Sequence, residues 1–362
     1  MEPAIASKLC WLLPVHKYDE VIRGCVTKIS GGSASVSLVE SCGGTKNSEA
    51  GQIEVPFDYC ILASGASYAA PVQQDRQFMH ALTLPDRLSE LKAHALRLKS
   101  ASSVVIVGGG PVGVELAAEV VSRFKRGAKK VITVVTSRDT LLGPEFTDST
   151  INYCTKWLVS RGVDIRYLSK GHITEKESVR LTSGEILRAD VIYDCTGGSA
   201  NSDYLVGEEG AVYGTRKRII VNDFLQVQDE VYRQRVFAAG DVMEVFGKPD
   251  VKLAFTAEIG GHLAAHNVAA AIMGKELHSY PKGIVGVDSI PTVYCVSLGK
   301  SYASLGFQTI TMNGLMPSFS KWVIETTKIL CMRERILGIM IWAIGDKAAF
   351  FLGRVFFKKK AV

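Results

Sequence analysis

The residues with the strongest claim to chemistry are Gly108, Gly110 and Gly113, spaced as G-x-G-x-x-G with Gly109, Pro111 and Val112 between them. Glycines at that spacing allow a tight turn, a bare backbone against a pyrophosphate, and close packing of helix on strand. The unpaired amides and positive dipole end of a helix starting at Pro111 would then hold the phosphates. A plain glycine-rich turn is the alternative, and the flanks argue against it. Val104-Val105-Ile106-Val107 reads as a strand buried on both faces, and Val112, Leu116, Ala117, Val120 and Val121 give the next segment an apolar helical stripe. A second apolar strand, Val131 to Val135, follows at βαβ distance.

Other candidates sit where strands end. Arg235 to Val242 is an apolar strand that carries Gly240-Asp241 to its carboxyl end, where ligands bind in parallel sheets. A short carboxylate there suits a ribose or ribityl hydroxyl, and an N-cap or turn aspartate is the alternative. The strand ending Ala63-Ser64-Gly65 brings backbone close to a ligand without a side chain at Gly65 to obstruct it. Cys195-Thr196-Gly197 repeats that device about 130 residues on, which suggests two related dinucleotide-binding units. A helix beginning near Phe255-Thr256-Ala257 could turn its positive end toward the electron-rich edge of a flavin.

The bulk composition narrows the classes. A chain of 362 residues with 47% hydrophobic and 22% charged residues can bury a sizeable core and is long enough for two domains. The net charge of +6 owes much to Lys358-Lys359-Lys360, and no basic stripe is interleaved with aromatics, so a nucleic-acid partner is not expected. The eight cysteines are scattered without a C-x-x-C, which argues against a redox dithiol or a zinc site and for free thiols in a reducing compartment. No metal site is expected. Glu2 stands where myristoylation needs glycine, and Leu9 to Leu13 is too short for a signal peptide, so secretion is not expected.

Positioning these residues calls for an α/β fold of two Rossmann-like, three-layer domains. The expected boundaries are 1–100 for a first part of one domain, 101–215 for the glycine-loop domain, 216–300 for the second part of the first, and 301–362 for a C-terminal region. Strands are expected at 20–26 and 34–39, a polar loop at 40–51, and one strand over 56–65. Helices are expected at 86–100, 147–161 and 254–273, with short strands at 219–221 and 224–227. Ile336 to Gly345 is an uncharged run too short to span a bilayer. An interfacial helix with a trailing lysine cluster and a core or dimer helix remain equally open for the C-terminal end.

The ordered set Ala63-Ser64-Gly65, Gly108 to Gly113 with Glu115, Cys195-Thr196-Gly197 and Ala239-Gly240-Asp241 resembles the two-dinucleotide flavoproteins. It is most similar to apoptosis-inducing-factor-like proteins of the ferroptosis-suppressor type, and more distantly to type II NADH dehydrogenases. That resemblance implies FAD in a discontinuous domain and NAD(P)H at the glycine loop. It also implies hydride passing to the flavin and electrons passing onward to a quinone-like acceptor. Asp241 would contact the flavin ribityl region, and Glu115 would lie near the nicotinamide and flavin N5. A helix carboxylate favoured by the dipole is the other reading of Glu115. Lys328 falls where some relatives carry a lysine near the flavin, a candidate for proton handling. Peripheral contact with a membrane, such as the mitochondrial surface, follows from a lipid-borne acceptor, and a cytoplasmic location is expected.

Two departures accompany the resemblance. The family opens with its own G-x-G-x-x-G for the FAD pyrophosphate, and no such motif precedes residue 60, so the FAD domain is expected to be N-terminally incomplete. A flavin-less, non-catalytic NAD(P)(H)-binding protein is therefore the competing reading, and a disulfide reductase is disfavoured by the cysteine pattern. In addition, Thr136-Ser137-Arg138 replaces the acid that usually holds the ribose 2′-hydroxyl. A 2′-phosphate is then not repelled and Arg138 could pair with it, unless Arg138 is simply a solvated loop residue.

Overall fold

The computed structural model describes residues 20–38, 51–71, 84–123, 130–175, 178–205, 213–232, 234–248, 252–282, 292–333, 335–342 and 344. The expected features at 9–13, 40–50 and 358–360, with Cys10 and Cys42, lie outside these residues. The chain divides into two compact units, the first made of 1–67, 198–290 and 339–362 and the second of 68–197 and 291–338. The expected divisions at 100, 215 and 300 thus fall at 67, 197 and 290, and most of the C-terminal region belongs to the second unit.

The first unit opens with an antiparallel sheet of β1 (Gly24–Ile29), β2 (Ser33–Leu38) and β3 (Gln52–Pro56). The single strand expected over 56–65 is broken, because Phe57 N–H turns away to the Gly32 carbonyl. The chain resumes as β4 (Cys60–Leu62) and the short β5 (Ala66–Ser67).

The second unit begins with α1 (Leu84–Ser100) and β6 (Ser103–Val107), followed by α2 (Pro111–Arg123) and β7 (Val131–Val135). Next come α3 (Asp148–Val159), β8 (Val163–Arg166), the antiparallel trio β9 (Gly171–Glu175), β10 (Ser178–Leu181) and β11 (Ile186–Arg188), and β12 (Val191–Asp194). Strands β12, β6, β7 and β8 lie parallel in that order. The β-branched run of β6 is buried along its length, as a strand covered on both faces requires. On α2, Val114, Ala117, Ala118 and Val120 supply the apolar face. Thr147 caps α3 by accepting from Thr150 N–H at 3.3 Å.

The chain then returns to the first unit with β13 (Ser199–Ala200), β14 (Ile219–Val221), β15 (Val236–Ala238), β16 (Met243–Val245) and α4 (Ala254–Ile272). Strand β15 pairs in parallel with β4, and β14 with β16. Phe237, Leu225, Val242 and Leu263 fill the core between them. The strand expected at 224–227 is reduced to isolated antiparallel bridges, Gln226 with Phe237 and Val227 with Val221. Asn222 Oδ1 accepts from Phe224 and Gln226 N–H, both at 2.9 Å, and Leu225 takes a positive φ of 68°, so a side-chain turn replaces the start of the strand.

A feature not foreseen from the sequence completes the second unit. Strands β17 (Val293–Leu298), β18 (Tyr302–Phe307) and β19 (Ile310–Gly314) form an antiparallel sheet that leads into α5 (Leu315–Met332). Hydroxyls join this sheet to the start of α3. The Tyr294 oxygen accepts Thr147 N–H at 3.1 Å and lies 3.0 Å from Thr150 Oγ1, which meets Ser304 Oγ at 2.8 Å. Phe146 packs its ring 4.6 Å from that of Tyr294.

Asp190 fixes the start of β12 against β6 by accepting from Ser102 N–H at 2.7 Å and Ser103 N–H at 2.9 Å. Those amides, with the Ser103 hydroxyl, hold its carboxyl below the usual carboxylate range. A depressed folded-state pKa contributes stability above the unfolded value of about 3.9 and loses it as pH falls through the folded value. Asp190→Ala is therefore expected to lower the urea midpoint at neutral pH. The gap from wild type should close in acid, which urea titrations at several pH values would show.

Candidate nucleotide site

Three strand ends meet at the glycine turn of the second unit. Gly108 N–H donates to the Val135 carbonyl at 2.8 Å, and Cys195 N–H donates to the Val107 carbonyl at 2.7 Å. Gly108 has a φ of 115°, and a Cβ on it would run into the Cys195 carbonyl. A Cβ on Gly113 would collide with the Gly108 carbonyl oxygen, so α2 can start this close to β6 only if that position is bare. At Gly110 nothing lies within 4 Å of where a Cβ would stand. The turn is thus closed on its protein side and open on the other. The helical ladder of α2 starts with Val114 N–H on the Gly110 carbonyl at 3.0 Å, so the amides of Val112 and Gly113 precede it. Pro111 opens the helix without a donor to lose, and Val112 is half exposed beside it.

The loop after β7 folds over Gly109. Leu142 N–H donates to the Gly109 carbonyl at 2.7 Å, and Thr136 is buried against Gly109. Ser137 and Arg138 stay exposed at the loop edge. Arg138 Nη1 donates to the Leu142 carbonyl at 2.9 Å, which ties the guanidinium to the loop. Thr196 N–H and Oγ1 both donate to Asp194 Oδ1, at 2.9 and 2.6 Å, and Gly197 takes a φ of 97°. The second strand-end device is therefore ordered by its own aspartate.

Glu115, one turn into α2, is held from the C-terminal sheet. Its Oε1 accepts Ser297 N–H at 2.7 Å and the Lys321 ammonium at 3.1 Å, and Lys321 also bonds the Ser297 hydroxyl. The lysine that meets Glu115 is thus Lys321. Lys328 stands two helical turns further along α5, half-buried. Sequence reading missed both Lys321 and Ser297. The shared face of Lys321 and Lys328, seven residues apart, was the available signal.

In the first unit the remaining candidates gather at one end of β4 and β15. Ala239 N–H donates to the Leu62 carbonyl at 2.9 Å, which sets Ala63-Ser64-Gly65 beside Gly240-Asp241. Gly65 and Gly240 have φ values of 68° and 75°, and no atom crowds the Cβ side of Gly65. Ser64 Oγ donates to the Asn201 carbonyl at 2.7 Å and lies 2.8 Å from Tyr204 Oη, two partners the sequence did not announce. Asp241 lies in a single 3-10 turn, Gly240–Val242. The start of α4 packs on that turn, with Ala257 Cβ 3.5 Å from where Gly240 would carry one. Thr256 is buried and its hydroxyl accepts Leu253 N–H at 3.1 Å, while Phe255 is exposed. A backbone-lined strand end beneath a helix N-terminus fits the ribityl chain and ring edge of a flavin.

The six described cysteines are free. Burial pushes the Cys60 thiol up to about 11, and those of Cys154 and Cys195 to about 12. These three thiols stay protonated at neutral pH, unsuited to attack on a disulfide.

Mixed α/β units with parallel sheets and glycine turns at their strand ends define a dinucleotide-binding fold of the Rossmann type. Residues 16–261 match the family of pyridine nucleotide-disulphide oxidoreductases, and the chain belongs to that family. It is 26% identical over 244 residues to ferroptosis suppressor protein 1 of Xenopus tropicalis, covering 65% of this chain and 62% of the relative. It is also 26% identical to apoptosis-inducing factor homolog B of Dictyostelium discoideum, covering 61% of this chain and 60% of the relative. The chain therefore spans about three fifths of the curated relatives it matches. Among solved structures, NDH2 from Plasmodium falciparum in complex with NADH aligns with a TM-score of 0.63 at 13% identity, over 92% of this chain and 83% of that one.

Glycine variants separate folding from binding at the turn. Gly113→Ala forces backbone apart and should lower the melting temperature by several degrees, on the order of the shift from 1–2 kcal/mol. Gly110→Ala adds a methyl to open space, so melting should be unchanged while the Kd for NADPH rises about tenfold or more. Thermal melts and calorimetric titration of both variants would check the pair.

Proposed function

We propose that the chain works as an FAD-dependent NAD(P)H oxidoreductase in which hydride passes from NAD(P)H to the flavin and electrons pass on to a quinone-like acceptor. The observation that carries this reading is the open face at Gly110, in a turn otherwise closed by Cys195, Val135 and Gly113. A part-exposed backbone with nothing within 4 Å of the Gly110 Cβ position, at a helix N-terminus, is what a pyrophosphate requires. FAD would be held by Ala63, Ser64, Gly65, Gly240 and Asp241, with Phe255, Thr256 and Ala257 at the ring edge. Bound there, it supplies the two-electron to one-electron relay that no side chain can provide.

The protein's own part is placement. Gly108 to Gly113, with Thr196 and Gly197, would seat the nucleotide, and Ser137 and Arg138 would face the ribose. Glu115 is a carboxylate whose orientation is fixed from two sides by Ser297 and Lys321, which suits a group that positions a nicotinamide. Lys328 remains a candidate for proton handling on the same helix. Protonated, buried thiols favour an acceptor other than a disulfide. A lipid-borne acceptor would be met by peripheral contact with a membrane from the cytoplasmic side. No helix among the described residues is long and apolar enough to cross one.

One observation favours a second reading, in which the chain binds NAD(P)(H) without flavin. The only G-x-G-x-x-G in the sequence is the one at Gly108. Purified chain incubated with FAD and freed of excess discriminates the two. The first reading expects a retained flavin absorbance band that NADPH bleaches without oxygen, and the second expects nucleotide binding with no flavin band.

Arg138 further favours NADPH over NADH, because its exposed guanidinium stands where an acid would otherwise repel a 2′-phosphate. Arg138→Ala should raise the KM for NADPH about tenfold and leave that for NADH within about twofold. Steady-state kinetics with both nucleotides would measure the split.

A further inference from the structure

A left-handed backbone is costly for any residue that carries a Cβ, and it persists only where something offsets the cost. Among the described residues seven non-glycine positions have a positive φ, and three of them are leucines. Leu142 and Leu225 are fully buried, so core packing offsets the cost at both. Leu168, with a φ of 51°, is 72% exposed and gains little from packing. An apolar side chain is thus held out in solvent on a strained backbone. Glycine or asparagine would serve the fold better at that position.

Its place in the sheet gives the strain a purpose. Leu168 lies in the turn directly after β8, and Ser169 Oγ closes that turn on the Tyr167 carbonyl at 3.0 Å. Leu168 N–H donates to the Arg138 carbonyl at 3.0 Å. Ser169 N–H donates to the Thr136 carbonyl, and Thr136 N–H to the Arg166 carbonyl, both at 2.9 Å. The turn is therefore stitched to the loop that folds over Gly109. Strands β6, β7 and β8 lie parallel and side by side in that order, about 4.8 Å apart. On the proposed function the pyrophosphate sits at the end of β6 and the ribose beside Ser137 and Arg138 at the end of β7. A base carried by that ribose has the end of β8 as its next support, and there Leu168 offers an uncovered apolar surface. A flat base laid on that surface removes it from water.

We propose that Leu168 is the wall against which the adenine of NAD(P)H packs, held in place by the strained turn after β8. The proposal deepens the reading above and rests on it, since it names the side chain that grips the base of the same nucleotide. It can nevertheless fail while that reading stands. Its mark is an opposite effect on folding and on binding. Glycine at 168 relieves the backbone and removes the wall, whereas a side chain with a structural task alone would change stability and leave affinity as it was.

The test is calorimetric titration of the full chain with two ligands, alongside thermal melts. One is NADPH, and the other is ADP-ribose 2′-phosphate, which keeps the adenosine half and lacks the nicotinamide. Leu168→Gly should melt at or above the wild-type temperature and bind both ligands about fivefold to tenfold more weakly. Leu168→Met, which keeps an apolar surface, should bind both within about twofold of wild type. Equal affinity of wild type and Leu168→Gly overturns the proposal and leaves the nucleotide reading intact. So does a loss for NADPH that ADP-ribose 2′-phosphate does not show, which would assign Leu168 to the nicotinamide half. Wild type that binds neither ligand overturns the reading itself, and the proposal with it. Should Leu168→Gly misfold, Leu168→Asn decides, because its short polar side chain tolerates the left-handed backbone and provides no wall. Weakened binding of both ligands by that variant supports the proposal, and wild-type affinity overturns it.

Discussion

The second unit depends on a contact that no side chain may enter, the approach of Gly113 to the Gly108 carbonyl. That approach lets α2 begin directly at the end of β6, and the other parts of the site follow from it. Gly108 is clasped by the ends of β7 and β12 through the Val135 and Cys195 carbonyls. Gly109 receives Leu142, so the loop carrying Ser137 and Arg138 is drawn in beside the turn. With three strand ends locked together, the space on the Cβ side of Gly110 stays open. The opening is a consequence of close packing everywhere else.

The glycine turn was legible in the sequence because its determinants are local. Strand, turn and helix lie within about 20 residues and each carries its own periodicity. Long-range features were not legible. Glu115 meets Ser297 and Lys321 from 182 and 206 residues away, and no spacing rule connects such positions. The sheet of β17 to β19 was missed for a related reason. Gly299, Gly306 and Gly314 interrupt its alternation, and hydroxyls such as Ser304 and Thr311 share its inward face with Val296 and Leu298. At 224–227 the apolar pattern was real, but Asn222 captures the amides of Phe224 and Gln226, so only bridges to β15 and Val221 remain. The division near 290 differs from the expected one for the same reason as the missed sheet, since hydroxyl contacts bind that sheet to α3.

The two units solve one problem with one device. In each, a parallel strand ends in small residues, a glycine takes a positive φ, and a helix N-terminus stands close by. They differ in what orders the turn. Thr196 is held by Asp194 within its own strand end, whereas Ser64 is held by Asn201 and Tyr204 from a distant segment. On the proposed function, chemistry would require only that the protein place two cofactors, because hydride transfer makes little demand on side-chain acids or bases. The fixed Glu115 carboxylate is consistent with that division of labour.

The proposed function stands or falls on NAD(P)H lying against the glycine turn of the second unit. Hydrogen–deuterium exchange with and without NADPH addresses this directly, since an amide that bonds a phosphate exchanges more slowly. Slowing should concentrate in peptides spanning 108–114 and 136–142, with smaller change in β17 to β19. Slowing confined to other segments, or no slowing at saturating NADPH, would contradict that placement of the nucleotide.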